Sequence, residues 1–170
     1  DYSVTFRRIL SSTDHAEYAE ITAYGSNGQQ QWHYTTPSYP LADLTRLEEI
    51  GQFGSLYLYN ESGTIVALDV YTGEVLWKNT EFGGASIAAV SDEKAVYLCG
   101  YYGPCLFAVS YAGDTIKRIE AINDTYKWPS WISFSSDGIL IYMDDGPKGF
   151  LEKGYLFKLD YESFQVIEEP

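Results

Sequence analysis

Ser55-Leu56-Tyr57-Leu58-Tyr59-Asn60-Glu61-Ser62-Gly63-Thr64-Ile65-Val66-Ala67-Leu68-Asp69-Val70-Tyr71-Thr72-Gly73-Glu74-Val75-Leu76-Trp77-Lys78-Asn79 reads as three short strands separated by two tight turns. Each strand segment is short and rich in aromatic and β-branched side chains, which pack well on a pleated surface. Asn60 to Gly63 and Tyr71 to Gly73 carry the residue types that reverse a chain, with glycine free to take a positive φ. Residues 45–52 supply a further strand ahead of these three, giving a four-stranded antiparallel unit of propeller-blade size.

The pattern returns along the chain. Residues 85–90, 95–98, 105–109 and 115–119 form a second four-strand unit, and 131–134, 139–142, 155–159 and 164–167 a third. Ahead of them, 3–10, 18–24 and 30–34 form an opening unit of only three strands. Gly28 and Trp32 recur as Gly73 and Trp77, and Gly73 recurs as Gly113, at steps of 45 and 40 residues. The expectation is an all-β chain, a small or partial β-propeller of about four antiparallel blade units. The units fall at about 1–36, 41–80, 84–121 and 128–168 within a single domain. Residues 40–50, apolar at 41, 44, 47 and 50, are the one helix candidate, and the repeat alignment favours a strand there instead.

Residues 67–77 resemble the signature of the pyrroloquinoline-quinone-like (PQQ-like) propeller repeat, Ala-x-Asp-x-x-Thr-Gly-x-x-x-Trp, at Ala67, Asp69, Thr72, Gly73 and Trp77. The other copies are degenerate. Copy one keeps Gly28 and Trp32, while copy three keeps Ala108 and Gly113 with Lys117 in the tryptophan position. Copy four keeps Asp160 and has Ser163, Phe164 and Glu168 for Thr, Gly and Trp. The resemblance implies that the tryptophan packs against the neighbouring blade. It also implies two kinds of relative: large eight-bladed quinone dehydrogenases with calcium beside the cofactor, and scaffolds that bind no quinone, such as an outer-membrane assembly lipoprotein.

Composition narrows the classes. The 170 residues carry a net charge of −13, and the 11 basic residues are scattered, which disfavours a phosphate backbone or an anionic bilayer as partner. No apolar run approaches the ~20 residues of a membrane helix, and the opening Asp1-Tyr2-Ser3-Val4 is expected to follow a removed leader or anchor. Cys99 and Cys105 flank Gly100-Tyr101-Tyr102-Gly103-Pro104, a reversal that allows either a disulfide across a hairpin or two small buried thiols.

No catalytic constellation is present in the sequence. Gly83-Gly84-Ala85-Ser86 lacks a nucleophile elbow, His15 and His33 are isolated, and Arg7-Arg8 is too short for a basic patch. In a propeller, the loops of the second hairpins share one face with the connections between blades, and that face is the expected binding surface. It gathers Asn60, Glu61, Tyr101, Tyr102, Tyr126, Trp128, Trp131, Asp144 and Asp145. Of these, Tyr101, Tyr102, Trp128, Trp131, Asp144 and Asp145 are the candidate ligand residues, against the alternative that the tryptophans only fill space between blades. Asp144-Asp145-Gly146 offers oxygen ligands but lacks the spacing of a calcium loop.

The expected function is therefore a non-catalytic binding or scaffold module of the cell envelope or exterior. Its partner is a protein, a small molecule or a glycan, with no metal or cofactor required. A quinone- or calcium-dependent enzyme fragment is the alternative. The short opening unit leaves a sheet edge that is expected if the sequence is cut from a longer protein, if that unit is simply short, or if two copies join there.

Overall fold

The computed structural model describes residues 2–13, 15–40, 47–123, 128–144 and 154–168, with only the backbone of Tyr101 and Asp144. Every regular element among them is a strand. The strands are β1 (Tyr2–Ser11), β2 (Ala16–Gly25), β3 (Gln30–Thr35), β4 (Tyr39–Pro40), β5 (Leu47–Phe53), β6 (Leu56–Glu61), β7 (Thr64–Asp69) and β8 (Val75–Asn79). They continue with β9 (Ala85–Ser91), β10 (Ala95–Tyr101), β11 (Leu106–Ser110), β12 (Thr115–Ile119), β13 (Pro129–Phe134), β14 (Ile139–Asp144), β15 (Gly154–Leu159) and β16 (Val166–Glu168). The segment from Leu47 is a strand, and residues 41–46 of the helix candidate lie outside the described residues.

The strands form four antiparallel sheets, three of them simple meanders: β5-β6-β7-β8, β9-β10-β11-β12 and β13-β14-β15-β16. The first sheet runs β1-β2-β3, and β4 pairs with β2 at Ala16↔Pro40 and Glu17↔Tyr39. It thus extends the β3 edge past an interruption at Thr36 and Pro37, where Pro37 has no N–H to give a ladder. Thr36 bridges the gap, its N–H donating to the Ala19 carbonyl at 3.0 Å while its Oγ1 accepts from the Ala19 N–H at 2.9 Å. The first sheet is therefore three ranks wide where the others have four.

The chain divides into two compact units, residues 1–80 and 81–170, each with two sheets and its own apolar core. In the first, Ile21, Leu47, Tyr57, Tyr59, Val66 and Leu68 are wholly or almost wholly buried. In the second, Cys99, Leu106, Ile132, Ile141, Phe157 and Leu159 play that part.

One device recurs in all four sheets. Ala23 faces Trp32, Ala67 faces Trp77, Ala108 faces Lys117 and Lys158 faces Glu168 across the last strand pair. At the next step each register shifts, leaving Gln31, Leu76, Ile116 and Ile167 as the extra residue of a bulge. All four bulged side chains are exposed. The degenerate copies therefore keep the backbone of the repeat where they have lost its side chains.

The turn that follows explains the signature. Asp69 Oδ1 accepts the N–H groups of Tyr71 and Thr72 at 2.7 and 2.9 Å, and the Gly73 N–H closes onto the Asp69 carbonyl at 2.8 Å. Copy four repeats this atom for atom: Asp160 Oδ1 accepts from Glu162 and Ser163, and the Phe164 N–H closes onto the Asp160 carbonyl at 3.0 Å. Both turns need a positive φ, 75° at Gly73 and 57° at Phe164, so the phenylalanine sits where glycine is favoured.

Within the first unit the packing role implied for the repeat tryptophan is carried by Trp32. Its indole N–H donates to the Val70 carbonyl at 2.8 Å, and its ring lies so close over Gly73 that a Cβ there would come within 2.7 Å of it. Burying an indole this fully is worth about 3 kcal/mol. Replacing Gly73 by alanine adds a clash to an unfavourable φ, and we expect Gly73→Ala to cost about 2–4 kcal/mol in denaturant unfolding. A loss below ~0.5 kcal/mol would show that the Trp32 joint is not tight.

Candidate functional site

The hairpin loop between β10 and β11 is held from below by the segment that enters β9. Phe82 is wholly buried, stacks edge-on against Phe107 at 5.5 Å, and lies beneath Gly100, where a Cβ would come within 2.7 Å of its ring. Gly103 rests on Gly84 with the same 2.7 Å allowance. Two close approaches that only glycine permits thus clamp the loop.

Tyr102 projects from this clamp. It is 71% exposed and held at φ 56°, a conformation rare for a bulky residue. Its ring meets that of Trp128 edge-to-face at 5.8 Å. Together with Gly103, Arg118 and Glu120, the two rings line an open cleft of about 240 Å³. Arg118 is fixed there, its Nη1 donating to the Phe82 carbonyl at 2.9 Å and its Nε paired with Glu120. Strained backbone of this kind clusters at ligand sites, and here Ser62 and Phe164 carry the same positive φ in turns. The arrangement offers two ring surfaces beside a cation and a carboxylate, suited to a flat, hydrogen-bonding ligand.

The structure brings together Tyr102 and Trp128 of the predicted ligand residues. Trp131 lies on β13 opposite Tyr142, 47% exposed, and does not line this cleft. Tyr101 pairs with Ala85 and Asp144 with Gly154 in the ladders, and Asp145 and Tyr126 lie outside the described residues. Asn60 and Glu61 serve the fold. Asn60 Oδ1 accepts the Gly63 N–H at 2.8 Å, and Glu61 accepts from Tyr39 and Tyr59 and pairs with Lys78 at 3.7 Å. His33 hydrogen-bonds Thr22 at 3.0 Å and Thr35 at 3.2 Å. Arg118 and Glu120 are the residues that sequence reading missed; alternation along β12 gives no signal that they converge on a loop of the same sheet.

Cys99 and Cys105 are free thiols, both wholly buried, and burial pushes each up to about 12. A larger cleft of about 490 Å³ is lined by Asp92, Glu93, Lys94, Tyr97, Tyr161 and Glu162, and the side chains of Asp92, Tyr97 and Tyr161 are engaged in the fold. The Tyr97 hydroxyl donates to Asp92 Oδ2 at 3.0 Å and that of Tyr161 to the Ser135 carbonyl at 2.8 Å. Burial opposes ionisation of Asp92, yet the N–H groups of Lys94 and Ala95 and the Tyr97 hydroxyl hold its carboxyl below the ordinary value. Among the described residues no three His, Cys, Asp or Glu side chains come together as metal ligands, and no helix is long and apolar enough to cross a membrane.

No family profile and no curated protein matches the chain. Solved structures do. The computationally designed Ika8 protein superposes with a TM-score of 0.67 at 13% identity, over 95% of this chain and 48% of that one. BamB from Moraxella catarrhalis gives 0.57 at 18% identity, over 98% and 52%. Dihydro-heme d1 dehydrogenase NirN in complex with DHE gives 0.57 at 16% identity, over 97% and 34%. The fold is that of β-propellers, in four blade-type sheets, and the chain spans about half the length of these structures or less.

With both thiols buried and protonated, a chromogenic thiol reagent should report almost no reaction in the native protein and two equivalents after denaturation without reductant. Native reaction at the rate of a free thiol would contradict the burial. For Asp92, a carboxyl lowered on folding stabilises the protein above its unfolded value of about 4, and the gain is lost as pH falls below that. Asp92→Asn should therefore lower the thermal midpoint at about pH 7 and have much less effect near about pH 2; equal loss at both would show that ionisation of Asp92 is immaterial.

Proposed function

We propose that this chain is a non-catalytic binding or scaffold module of the PQQ-like propeller-repeat type, working at the cell envelope or outside the cell. The observation that carries the reading is Tyr102, exposed and strained at the tip of a clamped loop and set against Trp128. A protein loop or a sugar ring satisfies the pair, since both present flat faces with hydrogen-bonding edges. Arg118 and Glu120 supply the polar contacts beside the rings. The repeat signature at Ala67, Asp69, Thr72, Gly73 and Trp77 supports membership of the family, and the scaffold members of that family are the better parallel. Location outside the cytoplasm rests on that parallel.

A second reading concerns assembly. The outer edge of β1 pairs with no strand among the described residues, and Val4 and Phe6 stay only partly buried, whereas β6, also next to the Ala-bearing strand of its sheet, is buried from Leu56 to Asn60. Such an edge accepts another strand, and a second copy joined there is the proposed partner. A solution mass showing only monomer at high concentration removes that option.

A glycan array and a peptide array probed with the parent and with Tyr102→Ala and Trp128→Ala test the binding reading. Loss of at least tenfold in signal for both variants on the same ligand is expected, about the 1.4 kcal/mol or more of a central aromatic anchor. Equal binding by parent and variants would place the site elsewhere. Thermal stabilisation by pyrroloquinoline quinone with calcium would overturn the non-catalytic reading.

A further inference from the structure

The joint that Trp32 fills in the first unit is built differently in the second. Lys117 occupies the tryptophan position, fixed by its pairing with Ala108, and Phe164 occupies the glycine position of the next turn. A large ring over a bare backbone has been exchanged for a flexible cation beside a ring, with Lys117 Nζ 5.8 Å from the Phe164 centroid. The exchange leaves the joint unfilled. A cleft of about 290 Å³ remains, with the buried Ile122 and Leu159 and the ring of Phe164 among its lining. Asn123 and Gln165 line it as well, and Lys117, like Lys94, forms no ion pair among the described residues.

We infer that this cleft is a binding site for a small aromatic carboxylate. The ring of such a ligand takes the space vacated by the repeat tryptophan, against Phe164 and Ile122, and its carboxylate meets Lys117. The lining is mainly polar, with Lys117, Arg118 and the amides of Asn123 and Gln165 set beside the ring of Phe164, and the volume suits a single ring. A carboxylate on Lys117 makes a charge-assisted hydrogen bond, stronger than one between neutral groups. The net charge of −13 slows the encounter of an anion without removing the local contact. The site shares only the Arg118 wall with the Tyr102 cleft and stands or falls independently of the function proposed for that cleft.

Phenylacetate titrated into the ¹⁵N-labelled protein tests this. Saturable amide shifts confined to residues 117–123 and 159–166 are expected, with a dissociation constant of the order of millimolar. Neutral phenylacetamide should bind at least tenfold more weakly, and Lys117→Met, which keeps the aliphatic stem, should lose at least tenfold for phenylacetate. The tripeptide acetyl-Ala-Ala-Phe presents the same chemistry at a peptide terminus; if it competes at the same amides the natural source is a peptide, and if it is excluded the source is a free acid. The double variant Lys117→Trp with Phe164→Gly should refill the joint, raise the thermal midpoint and abolish binding. Equal affinity for phenylacetamide, or undiminished phenylacetate binding by Lys117→Met, overturns the inference.

Discussion

The architecture rests on one extra residue in the last strand pair of each sheet. The bulged residue comes directly before the one that faces Ala23, Ala67, Ala108 or Lys158, and its side chain is turned outward to solvent. At the one joint where tryptophan and glycine meet within a unit, the ring lies on bare backbone and its N–H finds the Val70 carbonyl. Apolar burial and a hydrogen bond are thereby satisfied by one side chain, which is why the contact tolerates nothing larger than glycine beneath it.

The fourth copy shows what is essential in the motif. Asp160 and Ser163 rebuild every hydrogen bond of the Asp69 turn, so the backbone keeps its left-handed step although Phe164 must bear it. Phe164 gains ring contacts with Tyr97 and the Lys117 cation in return. Side chains of the joint can be exchanged as a pair while the turn stays fixed. What such an exchange does not preserve is close packing, and the open cleft beside Phe164 is its consequence.

Strand order and turns were legible because they are local. Alternation, glycine placement and the Asp-x-x-Thr-Gly run act within a few residues, and 64–69 and 115–119 agree with the observed strands at both ends. The candidate site was half legible. Tyr102 was legible as a loop residue, though Tyr101 beside it carries the same mark, and the separation of Trp128 from Trp131 comes with a register shift between Pro129 and Trp131. Arg118 and Glu120 carry no local mark at all, because their role comes from the Phe82 carbonyl meeting a strand 36 residues away.

The sequence by itself determined the four-fold repeat, the all-β class and the turn chemistry around Asp69 and Gly73, since these follow from hydrogen bonds and φ preferences between near neighbours. Only the tertiary structure decided which side chains fill the joints and which leave them open. Trp32 over Gly73 and Lys117 beside Phe164 are pairs drawn from different sheets, and no local pattern encodes whether the space between them closes. That decision belongs to packing, which depends on the summed volumes of residues far apart in the chain.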